Sequence, residues 1–194
     1  MMQRIGQTTL GLTAIVLTSG LWGCGIAMTP TAIAAPTESQ VVADLVKNHQ
    51  RFRLCQDSLQ ADTAQKFSQA YKVDNQTYFV VLQCFLGAYQ GNHEFVLYSP
   101  SAKGTTVKSL KLTTFEQVED GSIKRREVSS VGGLPTFDPK QRTLTILTKY
   151  RGVGDCGTQA RYRLDGKALK LLTFKAKFDC DGTLGPYQQL FPVR

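Results

Sequence analysis

Five cysteines constrain this chain more than any other feature: Cys24, Cys55, Cys84, Cys156 and Cys180. Cys24 lies inside an apolar leader, and the other four lie in the body of the chain. An even cysteine count in an exported body reads as a framework of two disulfides. Four cysteines allow three connectivities. The pairing Cys55–Cys84 with Cys156–Cys180 is favoured because each bridge closes a local loop. Loops of roughly 20 to 30 residues are worth about 3–4 kcal/mol each when closed, in the chain-entropy treatment. Four buried free thiols are the alternative. Zinc is disfavoured, because no C-x-x-C pair exists and only His49 and His93 are available as imidazole ligands.

The leader carries the compartment. Arg4 is the only charged side chain before Glu38, and Ala14-Ile15-Val16-Leu17 forms the apolar centre. Ala32-Ile33-Ala34 fits the small-x-small pattern before a signal peptidase cut. Residues 1–34 are therefore expected to be a signal peptide, and 35–194 a single disulfide-stapled, β-rich domain. The rival reading is a lipoprotein signal ending at Gly23, within Leu21-Trp22-Gly23-Cys24, with Cys24 acylated. Trp22 is bulky for that slot, so the soluble form is preferred. An uncleaved anchor is the third reading. A spanning helix needs about 20 predominantly apolar residues. Thr, Ser and Gly interrupt this stretch, and no later segment approaches that length.

Charge is uneven along the body. Residues 35–100 hold five Lys/Arg and six Asp/Glu, whereas 101–194 hold seventeen and nine, a net of +8. The basic excess predicts an anionic partner: an envelope polymer, a lipid headgroup or an acidic protein. Nucleic acid is not expected outside the cytoplasm, and no cofactor is expected. The candidate contact residues are Lys124, Arg125, Arg126, Arg161, Arg163 and Lys170. Solvated outer faces of strands are the plainer account of the same cations.

Thr37-Glu38-Ser39-Gln40 is a capping box, and Val41, Val42, Leu45, Val46 and His49 recur at helical spacing, so a helix is predicted over 38–50. Residues 61–73 fit a short helix or a strand. Asp74-Asn75 reads as a turn, and 76–89 as a long buried strand. Gly91-Asn92 reads as a second turn, followed by a strand over 93–98. Further strands are predicted at 105–114, 123–130 and 142–150, with Asp120-Gly121 and Gly132-Gly133 as breaks. Asp165-Gly166 is the strongest hairpin signal, set between two alternating runs. Leu164, Tyr162 and Ala160 then share a face with Leu169 and Leu171. Beyond them apolar parity switches to Leu172 and Phe174, which predicts a bulge near 171–172. The fold class is α+β and mainly antiparallel β: an N-terminal helix packed on an antiparallel meander sheet, with two disulfides.

Gly152-Val153-Gly154-Asp155-Cys156-Gly157 matches G-x-G-x-x-G literally. The dinucleotide reading fails, because that motif must open a helix and the residues after it read as a strand. If Cys156 bonds Cys180, Asp155 comes near Asp179 and Asp181. Three close carboxylates would suit Ca²⁺, a hard cation that takes oxygen ligands. Arg151 and Lys177 are near enough in sequence to neutralise them instead. For an enzyme, the only nucleophile arrangement to name is a Cys–His pair using His93 or His49, and the even cysteine count argues against a free thiol. Catalytic residues are therefore left unassigned.

Three strings bring a family to mind. Cys84-Phe85-Leu86-Gly87-Ala88-Tyr89-Gln90-Gly91, Leu134-Pro135-Thr136-Phe137-Asp138-Pro139 and Arg151-Gly152-Val153-Gly154-Asp155-Cys156-Gly157, with Cys180-Asp181-Gly182, resemble the landmarks of a bacterial domain of unknown function, number 1176. The resemblance covers roughly Phe52 to Val193. It implies an exported disulfide domain and supplies no catalytic residue. The form is similar to the cyanobacterial branch, which implies the periplasm, the thylakoid lumen or an envelope membrane. Tyr162 departs from the pattern, where tryptophan is expected. The leading reading is a non-enzymatic binding module of the cell envelope. An envelope hydrolase or redox enzyme is the alternative.

Overall fold

The computed structural model describes residues 35–192. The leader, the cut after Ala34 and the acylation of Cys24 lie outside the described residues.

Helix α1 (Glu38–Lys47) opens through the expected capping box. The Gln40 amide donates to Thr37 Oγ1 at 3.3 Å, and the Thr37 amide donates to Gln40 Oε1 at 2.8 Å. Val41, Val42 and Leu45 form its buried stripe. Burying each is worth roughly 1.5–3 kcal/mol. The helix does not run to residue 50. Asn48 Nδ2 donates to the Asp44 carbonyl at 3.1 Å and to Asp44 Oδ1 at 2.8 Å, and a separate turn, α2 (His49–Phe52), follows. The Asn48 amide keeps its own bond to the Asp44 carbonyl at 3.0 Å, and the helix ends because Asn48 leaves helical geometry at φ −108° and ψ 18°, a departure that its side-chain bonds support. The ambiguous 61–73 segment is both elements in turn: α3 (Ala61–Phe67), then β1 (Gln69–Lys72).

At the centre lie β2 (Tyr78–Leu86) and β3 (Gly91–Ser99), paired antiparallel. Their long apolar runs have a simple cause, since both faces are covered. Tyr78, Val80, Leu82, Val96 and Tyr98 meet the helices on one side. Phe79, Val81, Phe95 and Leu97 meet the remaining strands on the other. The turn between them sits at 87–90, where the Gly87 amide donates to the Gln90 carbonyl at 2.9 Å. Gly91 and Asn92, expected as that turn, already pair with Leu86 and Phe85.

The predicted strand over 105–114 divides into β4 (Thr106–Leu110) and β5 (Leu112–Gln117), and β5 forms a two-stranded ribbon with β6 (Ile123–Val128). Gly132-Gly133 is not a break. It lies inside β7 (Ser130–Asp138), opposite Asn92 and Gly91. A Cβ on Gly133 would sit 2.9 Å from Ile146 Cγ2 and 3.0 Å from the Leu147 carbonyl oxygen, so glycine there permits close strand approach. The sheet continues through β8 (Thr143–Lys149), β9 (Gly157–Asp165), β10 (Ala168–Lys177) and β11 (Gln188–Phe191). The β9–β10 loop is Gly166-Lys167, one residue later than expected, because Asp165 already pairs with Ala168. The shared face survives that shift, with Leu164 opposite Leu169 and Tyr162 opposite Leu171. The bulge falls where parity placed it, between Leu171 and Thr173.

Strand order in the main sheet is β1-β2-β3-β7-β8-β9-β10-β11, with β4 on the other half of β3. It is an antiparallel meander interrupted by the β4–β6 excursion. The sheet curls. Phe79 of β2 and Phe137 of β7 meet at 4.3 Å between ring centroids, tilted by 34°, although β3 lies between their strands. The β5–β6 ribbon covers the same inner face: Phe115 meets Phe174 at 5.1 Å, and the buried Tyr162 hydroxyl donates to the Thr113 carbonyl at 2.9 Å. Tyrosine at 162 thus uses a polar tip where tryptophan was the expected residue. No helix among the described residues is long and apolar enough to cross a membrane.

Candidate functional site

Both disulfides form as paired above, Cys55–Cys84 and Cys156–Cys180. Bridges of this kind persist in oxidising compartments and mark an exported chain. With all four described cysteines cross-linked, none offers a thiol to His93 or His49.

The first bridge is buried among the helices, with Cys55 3% and Cys84 1% exposed. Beside it lies Glu94, also buried, whose Oε1 accepts from the Cys55 amide at 3.0 Å. Burial raises the Glu94 pKa, and the Cys55 amide partly opposes that rise. Arg53, Cys55 and Gln56 all adopt positive φ, so this acceptor holds a segment in a conformation that L residues resist. Glu94 had no counterpart in the sequence reading. Its one signal was an acidic residue inside an otherwise apolar strand.

The second bridge organises the loop of the G-x-G-x-x-G string. Asp155 is 2% exposed and Cys156 fully buried. Arg151 Nε donates to Asp155 Oδ1 at 2.7 Å, and Arg151 Nη2 pairs with Asp155 Oδ2. Across the bridge, the Gly182 amide donates to Asp155 Oδ2 at 2.7 Å, and Arg151 Nη2 donates to the Cys180 carbonyl at 2.8 Å. The Arg151 guanidinium holds the Asp155 carboxyl well below the usual carboxylate range. Lys177 does the same for Asp181, with Nζ 2.7 Å from Oδ1, and the Thr183 amide and hydroxyl add to it. Asp179 is exposed. Asp155, Asp179 and Asp181 do not gather as a ligand set among the described residues. Internal cations take up two of them. The glycines serve the backbone: Gly154 has φ 73, and a Cβ on Gly157 would run into the Thr148 carbonyl oxygen where β8 and β9 close together. The strand that follows Gly157 replaces the helix a dinucleotide site requires.

The predicted cationic residues fall on two surfaces. Arg161 and Arg163 alternate with buried Ala160, Tyr162 and Leu164 and so leave the outer face of β9. Arg163 lies opposite Lys170 on β10 and Thr143 on β8, and Arg161 opposite Thr173 and Thr145. Lys175 lies opposite Gln159 on the same face. Lys170 is ion-paired to Asp165; Arg161 and Arg163 hold no ion pair among the described residues. Lys124, Arg125 and Arg126 lie on the ribbon, over the opposite face of the sheet. Arg126 is already held by Glu116 at 2.6 Å, and Arg125 Nη2 donates to Thr113 Oγ1 at 3.4 Å.

A second feature escaped the sequence reading. Gln83 and His93 face each other across β2 and β3 at the end of the inner core, and both are buried. Burial depresses the His93 pKa to about 4, with the Gly91 backbone pulling the other way, so the ring is neutral at neutral pH. The available signal was a polar residue within each of two largely apolar strands.

Fold and sites together define a disulfide-stapled, mainly antiparallel β domain of the kind built for oxidising compartments. The chain belongs to the family described as "Protein of unknown function (DUF1176)", which matches residues 24–194. It is also 49% identical over 51 residues to "Uncharacterized protein YpfG" of Escherichia coli (strain K12). That stretch is 26% of this chain and spans only 15% of the relative's length. No solved structure matches the chain.

Proposed function

We propose that this protein is a non-enzymatic binding module of the cell envelope, free in the periplasm or thylakoid lumen once its leader is removed. It engages an anionic polymer or lipid headgroup through the outer face of β8–β10. One observation carries this reading. Arg161 and Arg163 stand on that face without ion pairs among the described residues, beside Lys175, neutral threonines and a Lys170 that is held by Asp165 of the same face. Strand pairing fixes their spacing, so the charges are presented on a rigid surface. The second-half excess of +8 adds a wider attractive field.

The test uses heparin as a generic polyanion and vesicles of anionic lipid. Retention should fall steeply as salt rises past the screening range. Arg161→Gln with Arg163→Gln should weaken binding by roughly tenfold or more, at about 1 kcal/mol per surface charge. Lys124→Gln with Arg125→Gln, on the other surface, should change it far less. Equal losses from the two pairs would reduce the reading to non-specific attraction, and no retention at low salt would end it.

A further inference from the structure

The inner face of β2 and β3 stops being apolar at one end. Gln83 is 7% exposed there and His93 5%. Yet Gln83 Nε2 and His93 Nδ1 have no hydrogen-bond partner among the described residues. A buried polar atom left unpaired costs stability, and apolar residues of the same shape would avoid that cost. Their presence at the end of an apolar face therefore points to a ligand.

Both residues line a cleft of about 280 Å³. Its walls include Phe67, Val81, Leu86 and Tyr89, of which Phe67, Leu86 and Tyr89 are 44–52% exposed. Among the described residues no Asp, Glu, Lys or Arg lines it, in a chain of net charge +8. Gly91 shapes the interior: a Cβ there would lie 2.7 Å from Gln83 Cδ and 2.7 Å from His93 Cε1. Any side chain at 91 would push both polar groups out of place. Neighbouring polar groups are already committed. Gln90 exchanges hydrogen bonds with both backbone groups of Lys149 at 3.0 Å, and the Tyr89 hydroxyl donates to the Tyr150 carbonyl at 2.7 Å. These bonds tie the rim to the end of β8; the Gln69 side-chain oxygen accepts from the Tyr71 hydroxyl, and the buried Gln83–His93 pair is the recognition element.

We propose that this cleft binds a neutral, mostly apolar small molecule carrying one hydroxyl or carboxamide head, seated between Gln83 and His93. The primary amide and the neutral imidazole together offer donors and acceptors, and a hydroxyl both donates and accepts. It can therefore pair with both residues whichever imidazole nitrogen carries the proton. The apolar walls suit the body of such a molecule, in the manner of small-molecule sites with a few convergent polar groups. A charged head finds no counter-ion here, and His93 stays neutral through burial. This site is independent of the cationic face and stands whether or not that face binds a polyanion.

The probes are 4-ethylphenol, ethylbenzene and 4-ethylbenzoate, titrated into the oxidised, isotope-labelled protein and followed by NMR. 4-Ethylphenol should shift the Gln83 side-chain amide and the His93 ring resonances. Ethylbenzene lacks the head and should bind at least tenfold more weakly, because it leaves both polar groups unpaired. 4-Ethylbenzoate should bind more weakly still. Gln83→Leu should lose at least tenfold in 4-ethylphenol affinity while its Tm stays level or rises. Equal affinity for ethylbenzene and 4-ethylphenol, preference for the benzoate, or no shift at Gln83 and His93 with any probe would each overturn the proposal. The wild-type comparison decides it whatever the stability of the variant.

Discussion

The Cys55–Cys84 bridge spans 29 residues and has Glu94 beside it; the Cys156–Cys180 bridge spans 24 and has Asp155 beside it. Both acids are buried, and both accept a backbone amide. Their electrostatics are nonetheless opposite. Glu94 has no cation against it among the described residues, so burial dominates and its pKa rises. Asp155 is gripped by Arg151, so its pKa falls. The same chemical pairing of bridge and carboxylate therefore does two jobs. At the first bridge the acid serves as an acceptor inside a hydrophobic layer. At the second it is half of an ionic brace tying two loops. What separates them is whether the topology brings a guanidinium within reach.

Removing the bridges gives the largest effects. Chain entropy alone makes them nearly equal, since the loops are similar in length. Packing should separate them. Both sulfurs of the first lie in the helix-side core, whereas Cys180 is exposed. Cys55→Ala with Cys84→Ala should cost about 4–5 kcal/mol in urea unfolding, and Cys156→Ser with Cys180→Ser about 2–3 kcal/mol. Equal costs would show that burial adds nothing to cross-linking here.

The two acids should respond with opposite signs. Asp155→Asn breaks the brace and leaves Arg151 without its partner. Tm at pH 7 should fall by roughly 5–10 °C. Glu94→Gln keeps an oxygen for the Cys55 amide and removes the titrating group, so its Tm at pH 7 should rise by a few degrees. A fall in both variants would mean that the two acids stabilise their bridges alike.

The smallest effects are in pH. His93 has a folded pKa near 4 against an ordinary 6.5, so the unfolded chain takes up its proton first as pH falls. Its contribution is full above pH 6.5 and is lost progressively toward pH 4. Glu94, next in sequence on the opposite face of β3, runs the other way. Its folded pKa is raised, so its contribution is present below the unfolded value and is lost as pH rises through the folded one. Asp155 is lowered, so its contribution is present above its unfolded value of 3.8 and is lost only in stronger acid. Stability measured from pH 7 to pH 4 should therefore fall less steeply in His93→Phe and more steeply in Glu94→Gln than in the wild type. Parallel profiles would mean that neither group is linked to folding.

The sites were legible to different depths. The bridges could be paired from spacing, because short loops are entropically the cheapest to close. The 171–172 bulge was readable, because a two-residue period makes any slip visible as a change of face. Arg161 and Arg163 were grouped in the sequence with Lys124, Arg125 and Arg126, but separating the two sets required knowing which side of the sheet the ribbon covers. The Gly91-Asn92 and Gly132-Gly133 pairs look like turns to any local rule. They are strand residues that face each other, and the reason lies in neighbours more than 35 residues away in sequence.

The cross-links, the front helix with its capping box, the antiparallel β class and the family were all readable from the chain alone. These rest on local chemistry: loop closure, backbone capping and side-chain period act over a few to a few tens of residues. Tertiary structure alone decided that Arg151 would clasp Asp155, that Glu94 would lie beside a disulfide, and that Gln83 and His93 would close an uncharged cleft. Each of those depends on which strands become neighbours, and burial and pairing shift a group's free energy only after long-range packing has chosen its surroundings.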